Sequence, residues 1–283
     1  MVKFGAATAT SRSRTPLLQA LLGRPIPAVM GVLNITPDSF SDGGKFLAAD
    51  AALAQAKRMI GEGASILDIG AESTRPYGAR PVTTDEEMSR LSEILPKVAA
   101  LGTPVSIDTM KASVAAWALD AGAVIANDVW GLQRDPAMAK VIAERNAPVV
   151  VMHNRETVDA SLDIIKDIED FFVRSLDIAA KAGIDNGNVA LDPGIGFGKT
   201  PEQSMTALAR LAELQSFGLP LLVGASRKRF ISHVTPSEPS ERLGGSIAAH
   251  LLAVQNGAKI IRAHDVAETV QALRVAAAIG NAQ

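Results

Sequence analysis

The chain of 283 residues contains no cysteine. That excludes a disulfide scaffold, a thiolate zinc site and a cysteine nucleophile, and it is compatible with a reducing compartment, so a cytoplasmic location is the expectation. An excess of charge of one sign is missing too. Lys and Arg number 28 against 30 Asp and Glu, for a formal net charge of −2. A nucleic-acid-binding or polybasic membrane protein would carry a clear cationic surplus, so neither partner is expected. No uninterrupted apolar run approaches the length of about 18 residues that a membrane span needs. The one apolar run near the N-terminus, Leu17–Leu22, is too short for a secretory leader and reads as a short helical or strand-like lid. The four histidines show no pairwise metal-ligand spacing, which disfavours a zinc or iron site.

What is present is an ordinary globular composition, 47% apolar and 20% charged. The length fits two domains of about 150 residues or one α/β barrel of about 250. The pattern decides between them. Continuous apolar runs recur at residues 29–35, 66–69, 105–107, 124–126, 149–152, 189–191, 219–223 and 259–262. Such runs suit strands buried on both faces. Helical patterns fill the gaps at 50–62, from Thr84 to near Ala100, at 111–120, after Asp135-Pro136, at 164–181, after Thr200-Pro201, at 246–256 and at 266–279. Thr84 to Glu87 reads as a capping box, and Gly63, Gly122, Gly183 and Gly257 stand where left-handed C-caps are wanted. Eight strand–helix units without a linker predict a single (β/α)8 barrel over residues 26–283, preceded by an extension at 1–25. A doubly wound open sheet is the next-best architecture.

In such a barrel the active site lies at the C-terminal strand ends. Those ends are polar here and the opposite ends are not. Asp108, Asn127 and Asp192 follow strands 3, 4 and 6. Converging carboxylates and an amide suit a neutral heterocycle that presents several N–H donors. Arg75, Lys228, Arg262 and His264 follow strands 2, 7 and 8, a cationic set that suits phosphate or diphosphate. Strand 8 closes against strand 1, which brings Arg262 and His264 towards Asn34. Asn34 or Asp38 offers an oxygen to a Mg2+ held mainly by phosphate. The composite ligand is a polar heterocycle carrying a diphosphate.

Other features have plainer readings. The glycines at 194, 196 and 198 match neither the mononucleotide nor the dinucleotide fingerprint and instead allow a tight turn beside Asp192. His250 reads as a helix-face residue and His233 as a loop residue, while His153 stands between lining the site and packing. Glu86, Glu87 and the acids from Asp167 to Asp170 read as solvated helix faces. Trp117 and Trp130 read as packing residues.

The strand-end segments together resemble the dihydropteroate synthases, a family of pterin-binding barrels. They are GVLNITPDSFSDGG (31–44), DIGAESTRP (68–76), SIDT (106–109), Asn127-Asp128, LDPGIGFGK (191–199), GASRK (224–228) and RAHDV (262–266), in family order across almost the whole chain. The resemblance implies that a 6-hydroxymethyl-7,8-dihydropterin diphosphate is joined to p-aminobenzoate with release of pyrophosphate, by an SN1-like displacement. It implies that Asp108, Asn127, Asp192, Lys228, Met152 and Phe197 hold the pterin. Asn34, Arg262 and His264, with Arg75, would bind the diphosphate, and Asn34 would reach Mg2+. Thr74, Arg75, Pro76, Phe40 and Ser226 would form the p-aminobenzoate pocket, where sulfonamides compete in this family. A homodimer is also implied. The segment from His153 to Glu156, and Ala263, depart from the family pattern without removing an inferred ligand. A pterin-dependent methyltransferase would share the ring site but not need the diphosphate cluster, and a non-catalytic paralogue would be expected to have lost Asn34, Arg75, Lys228 or Arg262.

Overall fold

The computed structural model describes residues 17–35, 45–72 and 82–282, at 45–48 for the backbone alone. A short helix, α1 (Leu17–Leu22), precedes β1 (Ala28–Asn34) and α2 (Lys45–Gly61). There follow β2 (Ile66–Gly70), α3 (Thr84–Leu91), α4 (Leu95–Ala99), β3 (Val105–Asp108), α5 (Ala112–Asp120), β4 (Ile125–Asp128) and α6 (Met138–Glu144). The second half holds β5 (Val149–Met152), α7 (Ile164–Ala182), β6 (Val189–Asp192), α8 (Pro201–Ala209), β7 (Leu221–Val223), α9 (Arg229–Val234), α10 (Leu243–Gln255), β8 (Ala258–Ala263) and α11 (Val266–Gly280). The eight strands are parallel and closed in sequence order, β8 returning to pair with β1. This is the (β/α)8 barrel the apolar runs predict.

The strands sort their side chains by a period of two. Val29, Leu33, Leu67, Ile69, Ile107, Val149, Val151, Leu191, Val223 and Ile261 belong to the layer between barrel and helices. Ala28, Met30, Ile66, Ile125, Val150, Ala190, Leu222 and Ile260 pack in the barrel interior, joined from below by Leu18 and Leu21 of α1. The expected lid is therefore a helix, and its apolar face stoppers the N-terminal end.

Several boundaries differ from expectation. Strands β3, β4 and β6 run on into their polar residues, so Asp108, Asn127, Asp128 and Asp192 are strand positions rather than loop positions. Parallel pairing carries Asp108 alongside Asn127 and Met152 alongside Asp192. The helix foreseen from Thr84 breaks into α3 and α4, with Pro96 in the first turn of the second. Its cap is Thr83, whose hydroxyl accepts from the Glu86 N–H at 3.2 Å, one residue earlier than the capping box proposed. Glu87 is thereby freed to turn inward, where it is buried against Lys111 rather than solvated. Asp135 caps no helix directly; its carboxylate accepts from the N–H groups of Ala112 and Ala137. His233 sits on α9, not in a loop, beside Glu202. Thr200 caps α8 ahead of Pro201 and Gly63, Gly122, Gly183 and Gly257 are left-handed as expected, and Gln203 completes a capping box with Thr200.

Candidate active site

Two residues up from the interior apolar layer, the same inward face becomes polar on β2, β4, β6 and β8 and stays apolar on β5 and β7. Ile66 leads to Asp68, Ile125 to Asn127, Val150 to Met152, Ala190 to Asp192, Leu222 to Gly224 and Ile260 to Arg262. The pocket at this level is lined by Asp108, Asn127, Asp192, Lys228 and Arg262, with Val129, Met152, Ile195, Phe197 and Gly224 forming its apolar walls. All six residues expected to hold a ring ligand are thus brought together.

Arg262 organises the acids. Its Nε donates to Asp68 at 2.6 Å and its Nη2 to Asp108 at 2.7 Å. Asn127 also donates to Asp68, at 3.1 Å. Burial lowers the guanidinium's proton affinity, but Asp68 and Asp108 outweigh that and keep it charged. Burial pushes the Asp108 carboxyl up to about 7, with Asp68 and Glu87 adding to the effect and Arg262 and Lys228 opposing it. Asp192 is raised to about 6 by burial, although the Gly194 N–H donates to it at 2.7 Å and Lys228 and Arg262 oppose the rise. The second carboxylate oxygens of Asp68 and Asp108, the amide oxygen of Asn127 and the Ser106 hydroxyl are buried with no protein partner among the described residues. Unsatisfied buried acceptors cost of order 1–3 kcal/mol each, so a ligand with several N–H donors fits this floor.

The cationic set divides. Lys228 reaches over the pocket with Nζ 3.9 Å from the centre of the Phe197 ring, a cation–π contact. Arg262 belongs to the ring pocket, whereas the sequence reading counts it with the diphosphate ligands. His264 is not a cation: burial, then Arg262 and Arg227, push it down to about 4. Its Nδ1 lies 3.0 Å from the Ser226 hydroxyl, which also accepts from the His264 backbone N–H at 3.2 Å. Ser226 is buried and faces His264. Arg227, between Ser226 and Lys228, has a left-handed backbone (φ 57°). It is pinned by ion pairing to Asp265, by the Ser246 hydroxyl at its N–H and by Arg242 at its carbonyl. That kink lets neighbouring residues serve His264 on one side and the ring pocket on the other.

Asn34 is the only exposed residue of β1, at its C-terminal end. Asp128 is claimed by the backbone, its two oxygens accepting from the N–H groups of Trp130 at 2.9 Å and Leu132 at 2.7 Å. Trp130 packs beside the Val129, Met152 and Phe197 cluster. Asp38, Phe40, Thr74, Arg75 and Pro76 lie outside the described residues. On either side of 73–81 the chain is tied down. Glu72 accepts from the Val82 N–H at 3.1 Å and from Lys111 at 2.6 Å, and Arg90 donates to the Ala71 carbonyl at 2.6 Å.

Sequence reasoning misses three groups. Asp68, read as a strand-end residue without a role, receives both Arg262 and Asn127. Its position two residues after Ile66 is the available signal. His153 does not line the pocket but points away from it, to Asp167 and Lys199, so Asp167 is not a solvated acid. Lys199 is buried, with no signal beyond its place after the glycines.

The sequence profile of the family described as "Pterin binding enzyme" matches residues 30–264. The dihydropteroate synthase of Bacillus subtilis is 47% identical over 254 residues, which cover 89% of this chain and 88% of that one. Among solved structures, a dihydropteroate synthase from Clostridium difficile, determined in the presence of pteroic acid, superposes with a TM-score of 0.86 at 45% identity, covering 90% of this chain and 97% of the other. The Xanthomonas albilineans dihydropteroate synthase with 4-aminobenzoic acid gives 0.86 at 44%, covering 92% and 94%. The chain belongs to the pterin-binding enzymes and, among them, to the dihydropteroate synthases.

Proposed function

We propose that the chain joins 6-hydroxymethyl-7,8-dihydropterin diphosphate to p-aminobenzoate in the mouth pocket. The C–O bond to diphosphate breaks, with its electron pair leaving on pyrophosphate. The aryl amine forms the new C–N bond to the methylene carbon and gives up one proton to solvent. An aryl amine is nucleophilic without a strong base, so loss of the leaving group is the demanding part and an SN1-like course is favoured. The observation that carries this reading is the floor of buried acceptors around Arg262, which matches the donor-rich edge of a pterin. Asp192 and Asn127 accept and donate along that edge, and Asp108 accepts there through its unsatisfied oxygen. Lys228 donates to the carbonyl side of the ring, while Met152 and Phe197 pack its faces.

His264 and Asn34 stand on the outer side of this pocket as diphosphate ligands. The neutral His264 ring offers one N–H donor. Asn34 contributes a single neutral oxygen, and no group of three or more His, Cys, Asp or Glu among the described residues could hold a metal. This donor set fits a Mg2+ that arrives with the diphosphate rather than a resident ion. Asn34 would reach such an ion, which when bound would supply positive charge at the diphosphate. Thr74, Arg75, Pro76 and Phe40 complete the proposal as the p-aminobenzoate pocket. Exposed Leu252 on α10 with Val275 and Ile279 on α11 offer apolar surface for a homodimer. No helix among the described residues is long and apolar enough to cross a membrane.

The test is to supply the purified chain with the pterin diphosphate, Mg2+ and p-aminobenzoate and to measure pyrophosphate and dihydropteroate together. Both are expected in equal amounts, and Lys228→Ala and Asp192→Ala should each lower kcat/KM at least about a hundredfold. Tight pterin binding without pyrophosphate release would shift the reading to methyl transfer or to a binding-only paralogue.

A further inference from the structure

Behind the ring pocket lies a buried chain of ionisable groups that the reaction itself does not use. Lys199 follows the turn that carries Phe197, and its Nζ is enclosed. It lies 2.6 Å from His153 Nδ1, 3.0 Å from the Gly194 carbonyl and 3.2 Å from the Phe197 carbonyl. An ammonium has three N–H donors, and here it meets three acceptors. Burial pulls Lys199 down to about 7, with Asp192 and Asp167 opposing the fall, and the three acceptors around Nζ match its charged form. With Nδ1 accepting, His153 is neutral and carries its proton on Nε2, which donates to Asp167 at 3.0 Å. The other Asp167 oxygen accepts from Arg155 at 2.8 Å. Every donor in the series has one acceptor. Burial pushes His153 down to about 4, in keeping with a neutral ring. Phe171 packs edge-on against that ring at 4.9 Å between centroids.

The groups that Lys199 ties are the two ends of the turn. The Gly194 N–H donates to Asp192, and the Phe197 ring carries the Lys228 ammonium on its face. The turn is left-handed at Gly194 (φ 65°) and Gly196 (φ 80°). A side chain at Gly194 would strike the His153 carbonyl, and one at Gly196 would press on the stem of Lys228 at 3.2 Å. The turn therefore has no side chains of its own at these points with which to hold its shape.

We propose that Lys199 and His153 are positioning residues for the pterin, the Asp167–His153–Lys199 series fixing the Gly194 and Phe197 carbonyls and with them the Phe197 ring, the Lys228 ammonium and the Asp192 carboxylate. The proposal rests on the assignment of the mouth pocket to the pterin. Lys199 touches neither substrate, so its removal acts on pterin binding and leaves the p-aminobenzoate side and the bond-breaking step largely intact.

The experiment compares the full-length wild type with Lys199→Met, Lys199→Gln and Asp167→Asn. Equilibrium dialysis of 6-hydroxymethyl-7,8-dihydropterin gives the pterin Kd, and steady-state kinetics give kcat and both KM values. Lys199→Met is expected to raise pterin Kd and KM together by about tenfold or more, with p-aminobenzoate KM within about twofold and kcat within about threefold. Lys199→Gln, which keeps two donors, should fall between it and wild type. The Asp167 side chain is partly exposed, so Asp167→Asn is expected to fold and to raise pterin Kd about threefold. It decides the matter if Lys199→Met does not fold. Unchanged pterin Kd in the folded variants, or a fall in kcat with pterin Kd unchanged, overturns the proposal. A wild type that does not bind the pterin overturns the pocket assignment and the proposal with it.

Discussion

The two ends of this barrel are built from the same eight strands, two residues apart, and they obey opposite rules. At the N-terminal end Met30, Ile66, Ile125, Val150, Leu222 and Ile260 meet Leu18 and Leu21 of α1 in an apolar plug. One step up the same inward faces, Asp68, Asp108, Asn127, Asp192 and Arg262 crowd together with buried oxygens unsatisfied. The lower layer gains free energy from every side chain it hides. The upper layer gains little, because desolvating charges costs about as much as pairing them returns. Stability and recognition are thus separated along the barrel axis, and the separation can be tested.

The largest effect is expected from breaking the upper layer. Arg262→Met leaves Asp68 and Asp108 buried without their counter-ion. The variant should lose roughly 3–5 kcal/mol of stability at neutral pH, measured by urea unfolding, and should not bind the pterin. Recovery of much of that stability as the pH is lowered towards 5 would show that the loss comes from the uncompensated carboxylates. The lower layer should respond differently. Leu21→Ala removes a buried plug residue and should cost about 2–4 kcal/mol while kcat and both KM values stay within about twofold. A large change in pterin KM in that variant would mean that the two ends are mechanically coupled.

The smallest effect sharpens the picture at a single group. Burial raises the Asp192 carboxyl to about 6 in the free protein, above the usual 3.8. An acid shifted upward works against the fold once it ionises, so its contribution to stability falls as pH climbs from about 4 through about 6. Pterin binding has the opposite sign, since the ionised form accepts more N–H bonds. The Asp192 share of the rise in pterin Kd between pH 7 and pH 5 should be about tenfold, with Asp108 adding its own share, and Asp192→Asn should remove the Asp192 share while weakening binding at pH 7.

Much of this arrangement is legible in the sequence, because a buried parallel strand announces itself as an apolar run and a barrel places its chemistry where each run ends. Asp108, Asn127 and Asp192 are found that way. The reading falls short where the outcome depends on contacts between distant segments. Nothing local tells whether Arg262 turns towards phosphate or towards Asp68, nor that Lys199 reaches back to His153 and not outward to solvent. Glu87 looks like a surface acid because its helix begins with three acidic residues, and only Lys111, from the following unit, draws it inward. The capping signal slips by one residue at Thr83 and holds at Thr200, where Pro201 fixes the helix start.

The pairing of β8 with β1 gives the order of synthesis a chemical meaning. Asp68 and Asp108 leave the ribosome early, and their partner Arg262 comes from the last strand. A nascent chain lacking β8 has the acids, an open sheet edge on β1 and no cation between them. Closing the barrel and pairing Asp68 and Asp108 with Arg262 are therefore one event, completed only when the last strand is in place.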